Sequence, residues 1–368
     1  MKIGLKPWIK DLPEYVAGRT IEEIKKVYNL SVVYKLASNE NIFGPCDEVK
    51  KFLKNNIDDV NYYPDSQYSD VKEALALKFQ ITPQNITIGS GTDQIIEIIC
   101  DGFISQGDNI VIADPNFIIY EKAALKCAGS ALKVPLKEYR QDVAGIVNSI
   151  NRSTKIVFVA NPHNPTGTNI TKVEFKYLID KIPKSILLVI DEAYFEYLSP
   201  KERIDTVNYS VKSNNIITLR TFSKAYGLAG LRIGYGIASR EIISELEKIR
   251  LPFNVNSIAQ KAAVAALKND QYVKKIRDIN IVEKEKFYSV LEKEKISYIK
   301  SYANFILINC GENGAEIVEE LLKNGFIVRP GENMGVKGFI RVTIATPEIN
   351  DKFLDIFVKI YRKYIKKL

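Results

Sequence analysis

Lys224 lies in the stretch Thr221-Phe222-Ser223-Lys224-Ala225-Tyr226-Gly227-Leu228-Ala229-Gly230-Leu231-Arg232, preceded by hydroxyls and followed by a guanidinium. A lysine near cationic groups and partly withdrawn from water has a lowered pKa and can form a Schiff base with a carbonyl compound. Asp191 opens Asp191-Glu192-Ala193-Tyr194, directly after the apolar run 186–190. At the end of a buried strand, its carboxylate could hold a proton on a ring nitrogen. Gly91 and Thr92, in Gly89-Ser90-Gly91-Thr92-Asp93, open a helical run. Their backbone N–H groups can hold a phosphate at the positive end of the helix dipole. Thr221, Ser223 and Arg232 would add hydroxyls and a guanidinium to the same anion. A fourth polar stretch, Asn161-Pro162-His163-Asn164-Pro165-Thr166-Gly167, follows another apolar run.

An aldehyde with a phosphate arm and a basic pyridine ring fits the lysine, the carboxylate and the anion cup together. That molecule is pyridoxal 5′-phosphate, which enzymes hold through a lysine Schiff base and an acidic partner to the ring nitrogen. The chain has one histidine, His163. Sites needing two or three imidazole ligands are therefore excluded within one chain, and no metal is expected. A histidine–carboxylate relay is excluded unless it runs through His163. His163 itself is expected to have no direct chemical role.

These stretches need a scaffold that brings strand ends together. Strands are expected at 86–88, 109–113, 155–160, 186–190, 215–219 and 233–237, with helices at 94–103 and around 120–128. Short, nearly continuous apolar strands separated by helices indicate a buried, mostly parallel sheet in a three-layer α/β core. In such sheets ligands bind beyond the carboxyl ends of the strands, where the polar stretches fall. After Phe253 the pattern changes. An alanine-rich helix is expected at 257–267 and a charged amphipathic helix running to about 295. Strands follow at 298–299, 305–309, 326–329 and 339–344, with helices at 315–323 and 352–364. This reads as a smaller α+β C-terminal domain. The expected division is an N-terminal arm over 1–36, packing on the small domain or a partner chain, a large domain over 37–260 and a small domain over 261–368.

The stretch 221–230 resembles the attachment motif of the class-II aminotransferases, within the fold-type I pyridoxal-phosphate enzymes. Asn164-Pro165-Thr166-Gly167 and Asp191-Glu192-Ala193-Tyr194 occur in that family in the same order. Leu12-Pro13-Glu14-Tyr15-Val16-Ala17-Gly18, Lys35-Leu36-Ala37-Ser38-Asn39-Glu40-Asn41, Tyr63-Pro64 and Arg341-Val342-Thr343-Ile344 resemble the histidinol-phosphate aminotransferases in particular. The resemblance spans nearly the whole chain and implies roles. Lys224 forms the Schiff base and shuttles the proton, Asp191 pairs with the pyridinium, and Asn164 and Tyr194 hydrogen-bond the ring hydroxyl. Gly91, Thr92, Ser223 and Arg232 hold the cofactor phosphate, and Phe117 stacks on the ring. Tyr63 reaches the cofactor phosphate of a neighbouring subunit, which makes the expected state a homodimer with shared sites. Arg341 binds the anionic end of the substrate, assisted by Arg329, Tyr15 and Asn39. The implied reaction moves an amino group between glutamate or 2-oxoglutarate and a small phosphorylated amino alcohol or ketone. Decarboxylation of a phospho-amino acid and transamination of aromatic amino acids are the alternatives. Phe43 in Asn41-Ile42-Phe43-Gly44-Pro45, Gln94, Asn116-Phe117 and Ala17 depart from common family residues; those near Phe43 and Phe117 could reshape the substrate end.

The bulk composition fits this reading. The chain has 368 residues with a formal net charge of +8, and its 52 basic residues are scattered among 44 acidic ones. No nucleic-acid-binding pattern accompanies them. The local excess of Lys359, Arg362, Lys363, Lys366 and Lys367 reads as a solvated helix face. The four cysteines are far apart and form no CxxC pair, so reduced thiols and a cytoplasmic setting are expected. No signal peptide and no run of 18 apolar residues is present, so no membrane partner is expected.

Overall fold

The computed structural model describes residues 4–10, 12, 18–56, 58 and 60–365. Its centre is a seven-stranded sheet, ordered Ile86–Gly89, Gly234–Ile237, Ile216–Thr221, Leu187–Asp191, Thr154–Ala160, Asn109–Asp114 and Ser130–Pro135. Six strands run parallel; Gly234–Ile237 is antiparallel to both of its neighbours. Alternate side chains of one strand enter different cores, as the two-residue period requires. Leu187 and Val189 pack under the helices Gly91–Phe103 and Arg240–Ile249, whereas Leu188 and Ile190 pack beneath Lys172–Lys181. Burial on both faces is why these strands read as unbroken apolar runs.

Two sequence expectations shift here. Ser130–Pro135 was not expected as a strand. It is the sheet edge, with only Val134 buried, so it carries no apolar run. The helix expected from 94 begins at Gly91, because glycine, Thr92 and Asp93 form its first turn.

The second sheet has four antiparallel strands, ordered Arg329–Pro330, Phe339–Thr343, Phe305–Asn309 and Tyr298–Ile299. The helices Asp270–Lys293, Gly314–Lys323 and Pro347–Ile365 cover it through a core that includes Phe287, Leu321, Phe353 and Phe357. The expected strand 326–329 is two short pieces, Phe326–Ile327 and Arg329–Pro330, each pairing with a different sheet. Phe326–Ile327 pairs in parallel with Tyr34–Lys35. The helix expected at 352–364 starts at Pro347, where a proline at the first turn loses no hydrogen bond. On its last turns Arg362 pairs with Glu294 and Lys363 with Glu320.

The N-terminal segment touches both bodies. Trp8 Nε1 donates to the Lys126 carbonyl at 3.2 Å. The helix Ile21–Tyr28, capped by Thr20 and Glu23, buries Ile24 against Leu322 and Ile327. Residues 36–39 then pass between the two sheets. The Thr343 amide donates to the Leu36 carbonyl at 2.9 Å, and the Asn39 amide to the Thr343 hydroxyl at 3.0 Å. Among the described residues, no helix is long and apolar enough to cross a membrane.

Candidate active site

The carboxyl ends of the central strands open into a cavity of about 410 Å³. The strand Ile216–Thr221 delivers Lys224 on a tight turn: the Ser223 amide donates to Thr221 Oγ1 at 3.0 Å, and the Gly227 amide to the Lys224 carbonyl at 2.9 Å. Gly227 has φ +73°, and a Cβ there would collide with the Gly44 carbonyl, so only glycine closes the turn. Lys224 Nζ donates to the Ser38 carbonyl at 3.1 Å and stands 5.7 Å from the centroid of the Tyr194 ring. It is only partly exposed and faces the cavity.

Asp191 ends its strand in the floor of the same cavity and is 5% exposed. Burial pushes its carboxyl up to about 6; the Tyr120 hydroxyl and the Ala193 amide oppose that rise, Asp93 adds to it and Lys224 lowers it. Tyr120 donates to Oδ2 at 2.6 Å and the Ala193 amide to Oδ1 at 3.1 Å. Tyr194, three residues on, is buried against Phe305, and its hydroxyl accepts from Asn39 Nδ2 at 2.9 Å. Asn39 adopts φ +55°, a left-handed conformation that asparagine tolerates, and this places its side chain between Tyr194 and Thr343.

Beside Lys224 is the anion cup. Gly91 opens its helix at φ +76°, and a Cβ there would come within 2.5 Å of Arg232 Nη2. Arg232, itself at φ +55°, approaches Ser223 Oγ at 3.5 Å through Nη1 and Asp93 Oδ2 at 3.2 Å through Nη2. Gln94 Oε1 accepts the Ser90 amide at 2.7 Å and braces the loop. A helix start, the Ser223 hydroxyl and the Arg232 guanidinium therefore come together at one end of the cavity, with glycine at 91 letting the guanidinium approach the helix. That arrangement suits a phosphate.

Across the cavity, Arg341 on the strand Phe339–Thr343 donates through Nη1 to Asn164 Oδ1 at 2.7 Å and through Nη2 to the Ala37 carbonyl at 2.8 Å. Arg329 lines the same wall beside Gly18. Phe117 lines the cavity, edge-on to Tyr120. Of the sequence-predicted residues, Thr92, Thr221, Ser223 and Asn39 also face it. Tyr63 does not. It is 83% exposed and stacks on Phe253 at the surface, 4.7 Å between centroids. Tyr15 lies outside the described residues. His163 is buried off the cavity, its Nδ1 2.9 Å from the Thr166 hydroxyl, and burial lowers its pKa to about 4. Three contributors were missed by sequence reasoning: the Tyr120 hydroxyl, the Asp93 carboxylate against Arg232, and the Ser38 carbonyl. Asp93 could have been found as an acid in the first helical turn; Tyr120 and Ser38 gave no local signal.

Comparison with known proteins gives a consistent answer. Residues 31–357 match the family model described as aminotransferase class I and II. A histidinol-phosphate aminotransferase of Caldicellulosiruptor saccharolyticus is 41% identical over 346 residues, covering 94% of this chain and 97% of that one. Another, from Moorella thermoacetica, is 42% identical, covering 94% and 90%. Among solved structures, the histidinol-phosphate aminotransferase of Sinorhizobium meliloti in complex with pyridoxal 5′-phosphate superposes with a TM-score of 0.90 at 27% identity, covering 98% of both chains.

Proposed function

This chain belongs to the class I and II aminotransferases, and we propose that it moves the amino group of histidinol phosphate, with glutamate and 2-oxoglutarate as the other pair. It is a pyridoxal-phosphate-dependent enzyme with a fold-type I α/β core. One observation carries the substrate reading. A single cavity has cationic groups at two ends, Arg232 in the glycine-lined cup and Arg341 with Arg329 on the opposite wall. A cofactor with one phosphate occupies one end, which leaves an anion site for the substrate.

The residues present fit the cofactor. Asp191 presents a buried carboxylate for its ring nitrogen, Gly91 lets Arg232 pack against the helix start beside Thr92 and Ser223 where its phosphate would sit, and Lys224 lines the same cavity. When bound, the group supplies an electron sink for the charge left on the substrate carbon as its bond to hydrogen breaks. Asp191 would hold the proton on the ring nitrogen, Asn164 and Tyr194 would hydrogen-bond the ring hydroxyl, and Phe117 would stack on the ring. Lys224 Nζ, released from the Ser38 carbonyl, would take the proton from the substrate carbon and return it two atoms further along, on the carbon beyond the nitrogen, as a positioned general acid and base. Arg341 and Arg329 hold the substrate phosphate and so fix which bond lies across the ring.

The working form is a homodimer in the cytoplasm, in which the exposed Tyr63 reaches the partner's phosphate and Tyr15 assists at the substrate end. Residues 37–260 act as the cofactor-binding body, with 261–368 and the arm 1–36 closing the substrate side. A half-reaction screen tests the substrate assignment. The holoenzyme is mixed separately with glutamate, histidinol phosphate, phosphothreonine and phenylalanine while the cofactor spectrum is followed. Conversion to the amine form by glutamate and histidinol phosphate is expected. Carbon dioxide release from phosphothreonine, or a preference for phenylalanine, would overturn it.

A further inference from the structure

Asp191 does not meet the ring nitrogen alone. Tyr120, on the helix Ile119–Lys126, donates its hydroxyl to Asp191 Oδ2 at 2.6 Å. The phenol is fully buried, and its ring stacks on Phe158 with centroids 4.6 Å apart and an interplanar angle of 10°. Phe117 meets its edge from the cavity side. Burial and the neighbouring carboxylate hold the Tyr120 hydroxyl well above its usual pKa, so it acts only as a donor toward Asp191.

We propose that Tyr120 is a positioning residue whose hydroxyl keeps the Asp191 carboxylate ionised and fixed in plane for the ring nitrogen of the cofactor. The proposal rests on the reading of this cavity as the cofactor site. The physical reason is the environment. Asp191 is withdrawn from water, which favours its neutral form. Two donors oppose that, the Ala193 amide on Oδ1 and Tyr120 on Oδ2. The charged and titratable groups around the carboxylate are Asp93 from the helix Gly91–Phe103, Lys224 from the loop after Ile216–Thr221, and Glu192 and Tyr194 from its own strand exit. Asp93 faces Arg232, and Glu192 faces Arg220. Tyr120 is the side-chain donor to Asp191 among the described residues.

Removing a donor from a carboxylate disfavours its charged form and raises its pKa. Pyridoxamine 5′-phosphate is the probe, because it carries the ring and the phosphate without bonding to Lys224. Its Kd for the cofactor-free protein is measured across pH by fluorescence, in wild type, Tyr120→Phe and Phe158→Leu. In wild type, binding weakens on acidification as Asp191 takes up a proton. Tyr120→Phe keeps the stacked ring. It should weaken binding about tenfold at neutral pH, the usual range for a hydrogen bond to a charged group, and move the acidic limb up by about one pH unit. Phe158→Leu disturbs the packing and should leave the limb in place. Site-directed 3-fluorotyrosine at 120, a stronger donor, should move the limb to lower pH. An unmoved limb in both Tyr120 variants, or an equal shift in Phe158→Leu, overturns the proposal while the cofactor site stands. Failure of the wild-type protein to bind the probe overturns the site reading itself.

Discussion

The two walls of the cavity are built from different parts of the chain. Asp191 ends a strand of the seven-stranded sheet, and Lys224, Tyr194 and Asn164 follow such strands, within one stretch of sequence. Arg329 and Arg341 come from the second sheet, and Gly18, Ala37, Ser38 and Asn39 from the N-terminal segment that passes between the sheets. The first wall is held by a continuous buried ladder of strands. The second is held by a few hydrogen bonds between segments about 300 residues apart in the chain, such as Arg341 to the Ala37 carbonyl. On the proposed reading, the chemistry common to every substrate rests on the first wall and substrate choice on the second.

The contrast gives an order of effects. Lys224→Ala should stop turnover altogether, a loss of about 10³-fold or more, measured as kcat with saturating substrate. Activity near wild type would remove Lys224 from the chemistry. Arg341→Ala should leave the cofactor bound and cost about 2–4 kcal/mol in kcat/KM for a phosphorylated substrate, since a buried charge-assisted contact is lost. Unchanged KM and kcat would place the substrate anion elsewhere. Asp191→Asn should act on stability in the opposite sense from function. Burial raises the Asp191 carboxyl to about 6, above its usual value of 3.8, so the cofactor-free fold loses stability as pH rises through that window. Above it, the neutral variant should be more stable than wild type by about 2–3 kcal/mol, read from denaturant midpoints without cofactor. Equal midpoints at neutral pH would show that the ionised carboxylate carries no such cost. Asp93→Asn should do least. Its pair with Arg232 is partly exposed, and such pairs contribute about 1 kcal/mol or less. Cofactor affinity within about fivefold of wild type is the expected result.

Legibility in the sequence divides along the same line. The central strands were readable because burial on both faces makes them unbroken apolar runs, and the residues that follow are polar. That pattern pointed to Lys224, Asp191 and the anion cup from residue types alone. Ser130–Pro135 escaped because an edge strand buries only Val134. Tyr120 escaped because its partner lies 71 positions away and the contact depends on how a helix crosses a strand end. Arg341, Asn39 and Tyr63 were reached only through family resemblance. Nothing local to a short strand says that its arginine faces a cavity, and Tyr63 carries no local sign of the role proposed for it.

Residues 36–39 also bear on when the protein becomes competent. Leu36, Ala37, Ser38 and Asn39 each touch the site or its second wall, through Thr343, Arg341, Lys224 and Tyr194 respectively. Two of those partners belong to the strand Phe339–Thr343, 304 positions further along the chain for the Ala37–Arg341 pair. Ser38 and Asn39 find Lys224 and Tyr194 earlier in the chain, but until that strand is made Leu36 and Ala37 lack Thr343 and Arg341, and the cavity lacks its second wall. Closure of the cavity therefore waits on residues 304 positions downstream of the segment they hold.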